Sequence, residues 1–273
     1  MLESVKDLKV LLVGDAIIDE YCYVTPLGKS IKDNMISTQY QRKETFRGGV
    51  WAAAEHVRGF VKQVDVVMGP MITTNRRFVE EAYMRKLFVV HETQEIKFVP
   101  TKPIGDYDLV IVTDFGHGCI TPELIAELTV VAKFLAVNTQ TNTSNYGFNM
   151  ITKYPRADFV VLDELEARLA THDRHSPIEQ VILKLGFNKI IVTQGYKGAT
   201  GYDGEFHHQD ATAVKVVDTM GAGDAFLAVS SLFACKGFPM DDLVRIGNAA
   251  AAVKVGVVGH RNPVTPEALE AYL

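Results

Sequence analysis

Short runs of β-branched and other apolar residues alternate along the chain with longer stretches whose apolar positions recur at helical spacing. The runs Leu8–Val13, Val64–Met68, Leu109–Thr113, Phe134–Val137, Phe159–Leu162 and Lys189–Thr193 predict strands. Between them, Val50–Val61, Asn75–Lys86, Pro122–Ala132, Glu164–Ala170 and Pro177–Leu185 predict helices, with Pro122 and Pro177 in first turns, where a missing N–H costs nothing. Strand–helix alternation of this kind predicts an α/β fold with a parallel sheet covered on both faces. After Thr193 the texture changes. Gly198–Tyr202, Glu205–His208 and Ala213–Val217 predict short antiparallel strands with a turn at Asp203-Gly204, and Gly221–Cys235 and Met240–Val255 predict two long closing helices. From Tyr21 to Phe46 apolar and polar residues alternate, which predicts a two- to four-stranded flap inserted after the first strand and separate from the main sheet.

With 273 residues, 47% of them hydrophobic and 22% charged, the chain can bury one large core, and a single domain over 1–273 is expected. These fractions exclude a disordered or collagenous chain. A net charge of -5 disfavours nucleic-acid or membrane binding through a basic face. Cys22, Cys119 and Cys235 are odd in number and widely spaced, as expected of free thiols in a reducing compartment. No leader-like segment opens the sequence, and the longest largely apolar uncharged run, Ala225–Cys235, is too short to span a bilayer. A cytoplasmic location is expected.

The chemistry concentrates in Val216-Val217-Asp218-Thr219-Met220-Gly221-Ala222-Gly223-Asp224-Ala225-Phe226. Two glycines in a first helical turn cost about 1 kcal/mol each against alanine, so something needs bare backbone there. Unpaired N–H groups and the helix dipole make such a turn an anion site, with phosphate as the natural guest. Asp224 beside it would repel that guest unless it had a task, such as taking a proton from an attacking hydroxyl. A plain helix capped by Thr219 explains neither glycine. Gly28-Lys29-Ser30 is no phosphate-binding Walker loop, because the required first glycine falls on Tyr23. Gly221–Phe226 imitates a dinucleotide fingerprint, but Phe226 replaces its third small residue. Asp114-Phe115-Gly116 lacks the companions a protein kinase needs, and His172, His175, His207 and His208 lack zinc spacing.

Asp218-Thr219-Met220-Gly221-Ala222-Gly223-Asp224 resembles the Asp-Thr-x-Gly-Ala-Gly-Asp signature of the ribokinase-like (PfkB) carbohydrate kinases. The resemblance extends through Gly14–Tyr21, Arg47-Gly48-Gly49, Val192–Gly198 and Asn248–Val253 to Gly259, and within the family it is most similar to heptose 7-phosphate kinase domains. It implies a three-layer α/β sandwich with a mostly parallel central sheet and a β lid at about 21–46. It also implies ATP and Mg²⁺ as cofactors and a sugar or sugar phosphate as acceptor. Asp224 would be the catalytic base, with Gly221, Ala222 and Gly223 holding charge on the transferred phosphoryl. Asp19, Gly48, Gly49 and Asp114 would bind the sugar. Thr193, Gly195, Lys197 and Gly198 would line the nucleotide phosphates and ribose, with Asn248, Ala252 and Gly259 around the adenine. Asp163 and Glu166 stand where the family has Asn-x-x-Glu and would organise magnesium-bound water. Asp218 would help hold a monovalent cation such as K⁺. The lid edge would serve a homodimer, and kinases of this type are often fused to a nucleotidyltransferase domain.

The departures from the family fall on the acceptor side. Ala52–Ala54 stand where an Asn usually follows the glycine pair. The span from Gly69-Pro70 to Leu109 is short, its basic strand pair reduced to about Glu92–Pro100. Asn138–Gly147 replaces an Asp-Pro-Lys or Asp-Pro-Asn segment. Two readings follow: a kinase with an altered acceptor, or a nucleotide- or sugar-binding module with weak or no turnover.

Overall fold

The first strand, β1 (Lys9–Lys29), organises the molecule. Val10 and Leu12 point into one apolar cluster and Leu11 and Val13 into another, so the start of β1 is buried on both faces, as a central parallel strand must be. The computed structural model describes residues 1–96, 102–212 and 214–273. In it β1 lies between β3 (Gln63–Glu80) and β5 (Leu109–Asp114), and β6 (Leu135–Thr139), β7 (Phe159–Asp163) and β8 (Ile190–Thr193) follow in parallel. β9 (Ala199–Tyr202) and β10 (Phe206–Gln209) add an antiparallel hairpin at that edge.

Helices cover both faces. α1 (Val50–Arg58), α5 (Ala222–Cys235), α6 (Met240–Val255) and α7 (Pro266–Glu270) build one cluster, and α2 (Pro122–Val131), α3 (Glu164–Thr171) and α4 (Ile178–Leu185) the other. The expected three-layer α/β sandwich is present, with the carboxyl ends of the parallel strands gathered on one rim, where such sheets bind ligands.

Three expectations are corrected. Asn75–Lys86 is not a helix: it is the end of β3 and the start of β4 (Arg85–Glu95), joined by a single 3₁₀ turn at Glu81–Tyr83. Its helix-forming residues are overridden by pairing on two sides, parallel to β1 and antiparallel to β4. Cross-strand charge supports that pairing, since Glu20 sits opposite Arg76 and the two side chains meet at 2.6 Å. Consequently the flap is not separate from the main sheet. The outer halves of β1 and β3 continue past a register shift at Gly14/Ala16 and carry β2 (Ile36–Gly49) and β4 as flanks, giving a four-stranded lid in the order β2-β1-β3-β4.

Residues 214–217 form no strand; Val217 and Asp218 instead donate their N–H groups to the Val255 carbonyl at the end of α6. Ala213 and residues 97–100 of the expected Glu92–Pro100 pair lie outside the described residues. Cys22, Cys119 and Cys235 are free thiols. No described helix is long and apolar enough to cross a membrane.

Candidate active site

The turn before α5 is shaped by Gly221, the N-cap, which sits at φ 74 in the left-handed region where a Cβ is strained. No described side chain caps this turn. Thr219 contributes its carbonyl, 3.3 Å from the Ala222 N–H, and the first helical bond runs from the Ala225 N–H to the Gly221 carbonyl at 3.0 Å. The Ala222 N–H is thus turned back to Thr219, and the helix start is open at the N–H groups of Gly223 and Asp224, the geometry of an anion hole.

Asp224 follows within the first turn and is almost fully buried. Gln140 donates to its Oδ1 at 2.5 Å, yet burial pushes the carboxyl upward from the ordinary range. A carboxylate held this way is a ready proton acceptor.

Two adjoining cavities meet at this turn. The smaller, about 250 Å³, brings Gly221, Ala222, Gly223 and Asp224 together with Asn138, Gln140, Asp163 and Glu166. The larger, about 770 Å³, is mostly apolar and is lined by Thr193, Gly195, Gly198, Asn248 and Ala252 together with Tyr196, Phe226 and Val255. Asp163, Thr193, Thr219, Ala222 and Gly223 line both. The fold thus assembles five of the seven residues expected around the nucleotide. Lys197 sits in the exposed turn after β8 and does not line the groove. Gly259 lies on the opposite side, its N–H donating to Asp218 at 3.0 Å.

Asp163 and Glu166 form a capping box at the start of α3. Asp163 Oδ1 accepts from the Glu166 N–H at 2.7 Å, and Glu166 Oε2 accepts from the Asp163 N–H at 2.8 Å. Glu166 Oε1 also accepts from the Thr141 N–H at 3.1 Å. Burial and the neighbouring Asp163 push Glu166 up to about 8. Beside them Asn138 Oδ1 is a buried acceptor with no partner. An oxygen-only set comprising two carboxyls and one orphaned amide oxygen, facing a polar cavity, fits hydrated Mg²⁺, which keeps its waters and prefers hard oxygen donors. No cluster of three His, Cys, Asp or Glu ligands occurs among the described residues, so the arrangement suits water-mediated holding rather than a full protein cage.

On the other side of the turn, Asp19 projects from β1 and is 3% exposed. Gly48 is required for this, because a Cβ there would stand 2.3 Å from Asp19 Oδ2. Gly49, at φ 59, leads directly into α1. Asp19 pairs with Arg77 of β3, lies 3.5 Å from His260 Nε2 and accepts weakly from Asn75. Burial acts upward on Asp19, but His260 and Arg77 hold it below the ordinary carboxylate range. Asp114 is fully buried and bound by Tyr154, Lys153 and the Gly116 N–H; it shapes the loop after β5.

Asp218 lies apart from both cavities. Its oxygens accept from Tyr21 Oη at 2.6 Å, Lys86 Nζ at 2.8 Å, Gly259 N at 3.0 Å and Met220 N at 3.2 Å. Burial opposes ionisation, but Lys86, Tyr21 and Gly259 lower this carboxyl to about 2. The neighbouring carbonyls of Met220 and Gly259 are both taken by the ammonium of Lys254. A free monovalent cation therefore does not fit here, because two lysine ammonium groups already occupy its oxygen partners.

Several site residues, among them Asn138, Asn75 and Arg77, were not among those expected from the sequence, and three more carry particular weight. Gln140 was part of a polar stretch with no periodicity to place it. His260 touches both Asp19 and the Gly221 turn, a Cβ at Gly221 coming 2.6 Å from its Cε1, but it stands outside every motif. Lys254 lies in the last turn of α6, outside every motif.

An open α/β sheet with a backbone anion hole, a buried carboxylate and a deep groove at its strand ends defines a small-molecule phosphotransferase. The comparisons narrow the class. Residues 74–268 match the model of the pfkB family carbohydrate kinases, and the chain belongs to that family, whose members transfer phosphoryl groups to alcohols. It is similar to the bifunctional protein HldE of Trichlorobacter lovleyi, at 23% identity over 97% of this chain and 63% of that protein. A second HldE, from Geobacter metallireducens, is 23% identical over 93% of this chain and 61% of its own length. The chain thus spans about three-fifths of these two relatives. The fold matches ribokinase from Thermotoga maritima with a TM-score of 0.74 and 18% identity, covering 97% and 99% of the two chains. It also matches Arabidopsis thaliana ribokinase complexed with ribose and ATP, with a TM-score of 0.68 and 14% identity over 97% and 98% of the two chains.

Proposed function

We propose that this protein is an ATP-dependent kinase that moves the γ-phosphoryl group onto a hydroxyl of a sugar phosphate of the heptose 7-phosphate type. The observation that supports this most is the small cavity, where the anion hole, Asp224 and the acidic pair face one another across about 250 Å³. The larger groove accepts the nucleoside, its apolar walls at Phe226, Ala251 and Val255 taking the base and Thr193, Gly195 and Gly198 the ribose and phosphates. Bound magnesium would supply charge neutralisation for the phosphates. Asp163, Glu166 and Asn138 would hold its waters. Asp224 takes the proton of the attacking hydroxyl at Oδ2, while Gln140 fixes Oδ1. The Gly223 N–H, in the turn that Gly221 and Ala222 shape, faces the charge that develops on the transferred group. Asp19 orients the acceptor from below the lid, and lid closure excludes water that would otherwise hydrolyse ATP.

The HldE relatives support the heptose reading by name alone, and their greater length makes a nucleotidyltransferase domain, fused or separate, the expected companion. The lid exposes Leu27, Ile36, Tyr40, Phe88 and Val90, apolar edge surface suited to a second copy in a homodimer of a cytoplasmic enzyme. Gel filtration giving a monomer at micromolar concentration refutes that assembly.

The functional test is ADP release over hexoses, heptoses and their 1-, 6- and 7-phosphates, run beside Asp224→Asn. Turnover with a heptose phosphate that the variant loses supports the proposal. ATP binding with no turnover on any acceptor favours the module without catalysis.

A further inference from the structure

Lys254 is 1% exposed, and its two partners are neutral carbonyls: Met220 O at 2.7 Å and Gly259 O at 2.5 Å. A buried ammonium is costly unless its donors are paired, and burial lowers Lys254 from the ordinary lysine value. Met220 immediately precedes Gly221, and the lysine stem packs beneath that glycine, where a Cβ would come 3.2 Å from Lys254 Cε. Gly259 in turn donates its N–H to Asp218, at the other end of the same turn. The ammonium therefore ties the loop after α6 to the backbone turn that aims the Gly223 N–H. It also adds a fixed positive charge behind an anion hole that the protein furnishes only with backbone dipoles. Burial works against that charge, and the carboxylates Asp218 and Asp224 work for it.

We infer that Lys254 is a positioning residue whose ammonium serves as a tethered monovalent cation for the anion-hole turn, so that nucleotide binding needs no added K⁺. The inference rests on the kinase reading for its use but not for its test.

Two measurements decide it. Crystals of the wild-type protein soaked in thallium(I) acetate should show no anomalous peak between Met220 O and Gly259 O, whereas Lys254→Ala crystals should show one. This readout needs no nucleotide, so it stands even if the protein fails to bind ATP, which would refute the kinase reading alone. In calorimetric titrations with ATP and MgCl₂, replacing tetramethylammonium chloride by KCl at constant ionic strength should change wild-type affinity by less than threefold. Lys254→Ala should bind ATP at least tenfold more weakly in tetramethylammonium and recover at least threefold in KCl, a response that lost packing alone would not give. A thallium peak at those carbonyls in the wild type, or a K⁺ effect of threefold or more on it, overturns the inference. So does a variant whose loss KCl leaves unchanged. If Lys254→Ala does not fold, Lys254→Met replaces it, and the two wild-type measurements decide the question by themselves.

Discussion

Gly223→Ala separates the two reasons a glycine can stand in a helix. Nothing lies within 4 Å of a Cβ built at Gly223, and its φ is ordinary, so the folded state accommodates the methyl. Helix propensity then favours alanine by about 0.5–1 kcal/mol. For a domain of this size that raises Tm by roughly 1–3 °C. The open space is not idle, however, because Gly223 lines both cavities. A methyl there stands where a phosphate oxygen approaches the backbone and displaces it far enough to forfeit one charge-assisted hydrogen bond, about 1.5–3 kcal/mol. ATP affinity should fall roughly tenfold to a hundredfold while stability rises. Urea denaturation and calorimetric ATP titration read the two effects independently. Wild-type affinity and turnover in Gly223→Ala would refute the phosphate role, and a destabilised variant would show that the glycine is needed by the fold. Gly221→Ala is the control with the opposite signature: at φ 74, with a methyl 2.6 Å from His260 Cε1, it should destabilise by about 1–3 kcal/mol and weaken ATP binding as well.

Asp224→Asn should lower turnover by about 10²–10⁴-fold with ATP affinity within about twofold of wild type. It should also stabilise the protein at pH 7, because a carboxyl whose folded pKa is raised contributes stability below its unfolded value and loses it as pH rises through the folded one. The same sign applies to Glu166: without metal, the melting temperature should fall between pH 5 and pH 8, and Glu166→Gln should flatten that slope. Added MgCl₂ should stabilise the wild type more at pH 8 than at pH 6, since the ion competes with the Glu166 proton; equal shifts at both pH values count against the acidic pair as a metal site. Arg77→Met removes the cation paired with Asp19 and should raise acceptor KM about tenfold with ATP affinity unchanged, whereas a matched loss of ATP affinity would place Arg77 outside the acceptor pocket.

The parallel sheet, its covering helices and the α5 turn were legible because each is written locally: apolar runs for buried strands, 3.6-residue spacing for helices, two glycines for a bare helix start. The lid was legible as alternation from Tyr21 to Phe46 but not in its second half. Asn75–Lys86 carries good helix formers, and what makes it a strand is Glu20 opposite Arg76 and Phe78 stacked on Phe88 at 4.4 Å. Those partners are separated in sequence, so no window over the segment reveals them. The same holds for Gln140, His260 and Lys254. Each reaches the site through one side chain whose partner lies elsewhere: Asp224, Asp19 and the Met220 carbonyl respectively.

The misread segment and the acceptor-side departures are connected. Alanines at 52–54 remove a polar group from the start of α1, and in the folded chain the polar groups around Asp19 come instead from the lid: Asn75 and Arg77 of β3, with His91 of β4 bound to Asn75 Oδ1 at 2.7 Å. Asp19 is therefore anchored to the lid strand β3 on one side and to His260 of the loop after α6 on the other. In the proposed mechanism an acceptor held at Asp19 depends on the lid for its binding as well as for exclusion of water, since Arg77 and Asn75 belong to the outer half of β3 whereas Asp224 and the anion hole belong to α5. The two halves of the proposed reaction are thus built on different elements, the lid strands and α5. On that reading acceptor choice is set where β1 and β3 extend beyond the core, and phosphoryl transfer at the start of α5.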